Sequence, residues 1–195
     1  MSTNDKKNWQ VFIGIFVLVG GVAAGWLASV DLTDENIRLT MRESAFFAFA
    51  LYILVLVARP LQQLLRKNWT AQLLRNRRLL GVAFAAAMTA HLVLIIYRFS
   101  SQPDIEFTPD PYGIGAYAVF YLMLITSFDA PKKALGPKAW KYLHRFGLLY
   151  AAIIFAVPRP LETIIEPEYL KFGIPFALAV AIRFTAWLRS PRRGN

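Results

Sequence analysis

The feature that most constrains this chain is its succession of apolar runs, each close to the roughly 20 residues that a helix needs to cross a hydrocarbon layer about 30 Å thick. Backbone polar groups cannot go unpaired in lipid, so such runs fold as helices. Six are legible, near residues 9–30, 44–65, 78–97, 111–128, 138–157 and 172–188. The expected fold is all-α: a six-helix transmembrane bundle forming a single domain over 1–195. A hydrophobic content of 56% and a mean hydropathy of +0.42 agree with a multi-pass membrane protein and not with an ordinary soluble domain of this length.

The net charge of +10 is distributed by topology. Lys6 and Lys7 precede the first run; Arg66, Lys67, Arg75, Arg77 and Arg78 lie between the second and third; Lys132, Lys133, Lys138 and Lys141 lie between the fourth and fifth; Arg189, Arg192 and Arg193 close the chain. The intervening loops carry acids: Asp31, Asp34, Glu35 and Glu43, then Asp104, Glu106 and Asp110, then Glu162, Glu166 and Glu168. Basic and acidic loops alternate with each crossing, which by the positive-inside rule predicts both termini in the cytoplasm. Membrane lipid is the partner this implies. Nucleic acid is not expected, because topology already accounts for the basic clusters.

The first run follows a Lys-Lys pair but exceeds the apolar core of a signal peptide, so an uncleaved first helix is expected. Cysteine is absent, which excludes disulfides, thiolate metal ligands and a cysteine nucleophile. The basic segment 65–77 reads either as a short amphipathic helix along the membrane face or as a plain loop. Pro60 and Pro158 predict helix ends or kinks. Gly21 and Gly25 form a G-x-x-x-G spacing that predicts close packing within the bundle.

The chain has two histidines, His91 and His144, and both fall inside apolar runs. An ionisable ring in hydrocarbon is costly unless its nitrogens are satisfied, so each is a candidate functional residue. Zinc takes three or four protein ligands, and the cytoplasmic side offers few acids beyond Asp5 and Asp129. Haem iron asks the protein for only two axial ligands, which two histidines supply. Gly81, Ala83, Ala85, Ala86, Ala87 and Ala90 make the helix around His91 shallow enough for a flat macrocycle, although small residues also serve helix packing. Arg78, Arg145 and Arg183 are candidate partners for haem propionates; for Arg78 and Arg183, snorkelling to headgroups is an equal alternative.

Two blocks of sequence carry a family resemblance. The first is Arg77-Arg78-Leu79-Leu80-Gly81 followed by His91; the second is Thr126-Ser127, Leu135-Gly136, Trp140 and Leu143-His144-Arg145. Both are similar to the ferric-reductase-like transmembrane family, and within it to the MsrQ/YedZ group of haem-binding membrane subunits. The resemblance implies that His91 and His144 are haem ligands; one b-type haem is the expected cofactor, with Arg78 and Arg145, from their place beside the histidines, expected at its propionates. It further implies a bacterial inner-membrane protein that moves electrons to an outer-side acceptor protein or ferric ion. The electron donor would be a separate flavoprotein or a quinol, since no Gly-rich nucleotide loop occurs here.

The sequence departs from the family at Val157, where a further histidine is usual. Helix rise also sets His91 about 20 Å beyond Arg78 and His144 about 10 Å beyond Pro137, so a shared iron requires tilt and side-chain reach to absorb the offset. Thr89, Tyr97 and Tyr150 are candidates to hydrogen-bond the ligands. The alternatives are a non-catalytic membrane scaffold of the same family without stable haem, and a small transporter, for which the helices carry few central charges.

Overall fold

The computed structural model of the chain describes residues 2–102, 110–156 and 167–189. All regular structure among them is helical: α1 (Thr3–Ser29), α2 (Asp34–Leu65), α3 (Asn68–Arg75), α4 (Arg77–Ser101), α5 (Pro111–Ile125), α6 (Asp129–Leu135), α7 (Pro137–Ala156) and α8 (Pro167–Leu188). By length and hydropathy α1, α2, α4 and α8 are candidate membrane spans, and the bent pair α5–α6 makes a fifth. Lys138, Lys141 and Arg145 dilute the apolar character of α7.

Side-chain ties at the two ends show how the long helices alternate. At the basic end, Arg78 at the start of α4 reaches Asp129 (3.0 Å) and Asp5 on α1 (3.5 Å) and donates through Nε to the Ser127 carbonyl at 2.6 Å. Asn8, buried on α1, donates to the same carbonyl. The starts of α1 and α4 and the end of α5 therefore share one level. At the other end Arg98 of α4 forks onto Asp34 at the start of α2 (2.7 and 3.2 Å), and Lys171 of α8 meets Glu43 of α2 at 2.5 Å. With α7 tied to α5 at both ends, by Trp140 to the Thr126 carbonyl and by Tyr150 to the Tyr112 carbonyl, the six long helices run alternately up and down.

The core lies where α4 meets α1 and α2. Val82, Ala83, Phe84, Ala85, Ala86, Ala87, Met88 and Ala90 are all buried there, so the small-residue tract of α4 serves close helix packing. Helix α8 lies on α2, and α5 pairs with α7. That last contact is intimate, because a Cβ at Gly147 would collide with Met123 Sδ. Towards α2 and α4, α7 is bridged by rings: Phe155 sits 5.3, 5.5 and 6.3 Å from Phe49, Tyr52 and Phe84, centroid to centroid. The opposite faces are apolar and open, with Val17, Val22, Phe146, Leu149, Phe184 and Trp187 among the exposed side chains, as a lipid-facing surface requires.

Several boundaries differ from the sequence expectation. Helix α2 begins about ten residues earlier than position 44, because Thr33 caps it by accepting from the Asn36 N–H and the charged turn that follows is itself helical. At about 48 Å it outruns the bilayer. Pro60 does not end it; the helix continues to Leu65 and stops at Arg66, which is left-handed (φ 50°). The fourth run is broken: α5 stops at Ile125, and α6 leaves at 104° to it. Segment 65–77 does contain a helix, α3, whose Thr70 hydroxyl is tied to Gln62. Gly21 and Gly25 meet no neighbour, so the close packing expected there does not occur. Pro158 and Val157 lie outside the described residues.

Candidate functional site

His91 projects from α4 towards α2, and its Nδ1 lies 2.9 Å from Ser44 Oγ. The Ser44 hydroxyl also lies 2.8 Å from the Met41 carbonyl; when its hydrogen is given there, Nδ1–H is the donor to Ser44 and Nε2 keeps a lone pair, the arrangement in which a histidine is held ready for a metal.

His144 projects from α7 and is stacked on Trp140, the ring centroids 4.3 Å apart. Its Nε2 is 3.2 Å from Thr126 Oγ1, whose own hydrogen goes to the Leu122 carbonyl at 2.7 Å. When the Thr126 hydrogen is given there, Nε2–H donates and Nδ1 keeps the lone pair. The pattern repeats the first: a helical hydroxyl bonds its own backbone and offers its remaining oxygen capacity to an imidazole.

The structure does not bring the two rings together. Tyr52 Oη donates to the Leu148 carbonyl at 2.9 Å, which fixes α7 against α2 and gives a common ruler. Ser44 lies about 12 Å from Tyr52 along α2 towards the acidic end, and His144 lies about 6 Å from Leu148 along α7 towards the basic end. The two levels are thus about 18 Å apart, whereas two nitrogens on opposite faces of one metal ion lie about 4 Å apart. The rings of Phe49, Tyr52, Phe84 and Phe155 occupy the intervening layer. Among the described residues no three or more His, Cys, Asp or Glu side chains gather where they would hold a metal ion.

Of the two arginines expected beside the ligands, Arg78 is engaged in the clasp with Asp5, Asp129 and Ser127. Arg145 is exposed and makes no hydrogen bond or ion pair among the described residues. Thr89 bonds the Ala85 carbonyl and accepts from Tyr121, Tyr150 bonds the Tyr112 carbonyl, and Tyr97 lines a groove of about 410 Å³ between α1 and α4. None of the three touches a histidine; Ser44 and Thr126 do.

A family model described as ferric reductase like transmembrane component matches residues 44–157. This segment opens on Ser44 and contains both histidines and both hydroxyl partners. The chain belongs to the ferric-reductase-like transmembrane family. The protein-methionine-sulfoxide reductase heme-binding subunit MsrQ of Cronobacter sakazakii is 30% identical over 147 residues, covering 70% of each chain. The MsrQ of Herminiimonas arsenicoxydans is 29% identical over 141 residues, 66% of this chain and 63% of that protein. Magnetosome protein MamZ of Magnetospirillum gryphiswaldense is 24% identical over 204 residues, 97% of this chain but 30% of that protein. The chain thus spans under a third of its magnetosome relative and about two-thirds of the MsrQ proteins. The ferric-reductase-like match ends at Val157.

Proposed function

We propose that this chain is a haem-binding membrane electron carrier of the ferric-reductase-like family, with His91 as its principal iron ligand. The observation that carries the reading is the imidazole of His91, half-buried within the family segment and held through Nδ1 by Ser44. The MsrQ relatives are named as heme-binding subunits, which supports the same cofactor here. A b-type haem would supply a one-electron iron couple. Ser44 holds the ring orientation and raises the basicity of the ligating nitrogen by taking the Nδ1 proton's hydrogen bond. His144, about 18 Å away along the bundle, is proposed as a ligand at a separate level and not as the opposite face of the same iron. Arg145, exposed beside it, is the arginine free to meet a propionate.

Six crossings with both termini in the cytoplasm of a bacterial inner membrane accompany this reading, α7 being the sixth. Its support is the alternation of basic and acidic loops together with the up-and-down order of the helices. A flavoprotein or a quinol would deliver electrons, and an outer-side protein or ferric ion would accept them. A second reading, a scaffold of the same family without stable haem, is favoured by the aromatic rings that fill the layer between α7 and the α2–α4 pair.

The test is an absorption spectrum with pyridine haemochrome quantification on protein produced with ample haem. A Soret band reduced in part in each of His91→Ala and His144→Ala, and absent only in the double variant, is expected. Complete loss in either single variant would indicate a shared iron and overturn the separate levels; a colourless wild type would establish the scaffold.

A further inference from the structure

Proline 60 sits inside α2 and has no N–H, so the carbonyl four residues earlier, that of Leu56, loses its helical partner. Two arginines from other helices converge there. Arg183 of α8 donates through Nη1 to the Leu56 carbonyl at 3.3 Å, and Arg77 at the start of α4 donates through Nε to the adjacent Val55 carbonyl at 3.1 Å. In lipid a freed backbone carbonyl needs a donor, and the Arg183 guanidinium supplies it. Arg59 stands one turn further along α2, in helical i+3 and i+4 register with those two carbonyls, and the charges that bear on Arg77 are those of Arg183 and Arg59.

The unusual part is the charge balance. Two guanidiniums converge on adjacent carbonyls with the charge of Arg59 bearing on one of them, and α2 beyond Glu43, all of α4, and α8 from Leu170 onward contain no Asp or Glu. None of the three arginines makes an ion pair among the described residues, whereas Arg78 and Arg98, on the same helix α4, each have a carboxylate. The carbonyl bonds use one N–H of Arg77 and one of Arg183, leaving most of their donors unspent. Arg59 and Arg183 are exposed on the bundle surface and Arg77 is half-buried. Arg183 lies about 8 Å from the end of α8, at the basic end of the bundle, where headgroup phosphates of an anionic leaflet lie. Fixed, planar, multi-donor cations without a counter-charge suit phosphate oxygens better than they suit one another.

We propose that Arg59, Arg77 and Arg183 form a phosphate site at the Pro60 break of α2, filled by the phosphodiester of an anionic phospholipid. The lipid supplies the missing counter-charge and locks α2, α4 and α8 together at that level.

Native mass spectrometry of the full chain, released from nanodiscs of mixed phosphatidylglycerol and phosphatidylcholine, tests this. Wild-type protein is expected to retain phosphatidylglycerol over phosphatidylcholine by at least tenfold, and Arg59→Gln and Arg183→Gln each to reduce that preference severalfold. The Arg59 side chain donates to no backbone carbonyl among the described residues, so Arg59→Gln keeps the helix ties intact and reads the site even if Arg183→Gln fails to fold. A second arm measures thermal stability in lipid-free neutral detergent. Stabilisation by short-chain phosphatidylglycerol but not by inorganic phosphate is expected. Equal retention of both lipids by wild type, or unchanged preference in Arg59→Gln, would overturn the site. Stabilisation by inorganic phosphate alone would overturn the lipid assignment.

Discussion

At the scale of single residues, the two imidazoles are the only side chains of their kind in the chain, which made them legible as candidates. Their partners were not. Ser44 is 47 residues from His91 and Thr126 is 18 from His144, and the usual reading of a helical hydroxyl is a bond to its own backbone. Both do make that bond; what the sequence cannot display is the second use of the same oxygen, which depends on which helix lies opposite. Ser44→Ala removes the hydroxyl partner of His91 Nδ1. It is expected to weaken haem binding about 10- to 100-fold, the usual cost of losing such an orienting partner, and Ser44→Thr to restore most of it, as read by haem titration of the apoprotein.

At the scale of elements, the apolar runs announced the helices, and their errors have physical causes. The fourth run continues to Phe128 in hydropathy, but Thr126 and Ser127 turn their hydroxyls back onto the Leu122 and Met123 carbonyls. The carbonyls freed at the bend are taken up by Trp140, Arg78 and Asn8. Those donors come from three other helices, so the bend is a tertiary feature. The α5–α7 contact depends on Gly147 lacking a side chain. Gly147→Leu is expected to lower stability by about 1–3 kcal/mol through overpacking against Met123 and Val119, measurable by thermal unfolding in detergent. The Pro60 break gives a sharper test. Pro60→Ala supplies the N–H that Leu56 lacks, so Arg183→Gln should cost less in that background than in the wild type, by about 0.5–1.5 kcal/mol, in a double-mutant cycle.

At the scale of the whole molecule, the basic-end clasp joins α1, α4 and α6 through Arg78, Asp5, Asp129 and Ser2. The Ser2 hydroxyl and then Arg78 hold the Asp129 carboxyl below its ordinary range. A carboxyl depressed in the folded state stabilises fully above its unfolded pKa, about 3.9, and that contribution is lost as pH falls through the lower folded value. The wild-type melting temperature should therefore drop as pH is taken below about 4, and Arg78→Ala should flatten that drop. The absence of cysteine makes topology equally open to test. Single cysteines at Lys7 and Lys133 are expected to be labelled by a membrane-impermeant maleimide from one side, and one at Glu35 from the other; labelling of positions 7 and 133 from opposite sides would refute an even number of crossings between them.

What the sequence determined by itself was the solvent: the length and spacing of its apolar runs admit only helices in lipid, and the alternation of charge in the connections orders them. The identity of the two histidines was equally fixed, as was their position along each helix. Which helix each ring faces, and that Arg77 and Arg183 reach adjacent carbonyls of α2, were decided by tertiary structure alone. Helical periodicity sets a residue's height and its side within one helix, whereas the rotation and axial slide between helices come from contacts among residues far apart in the chain.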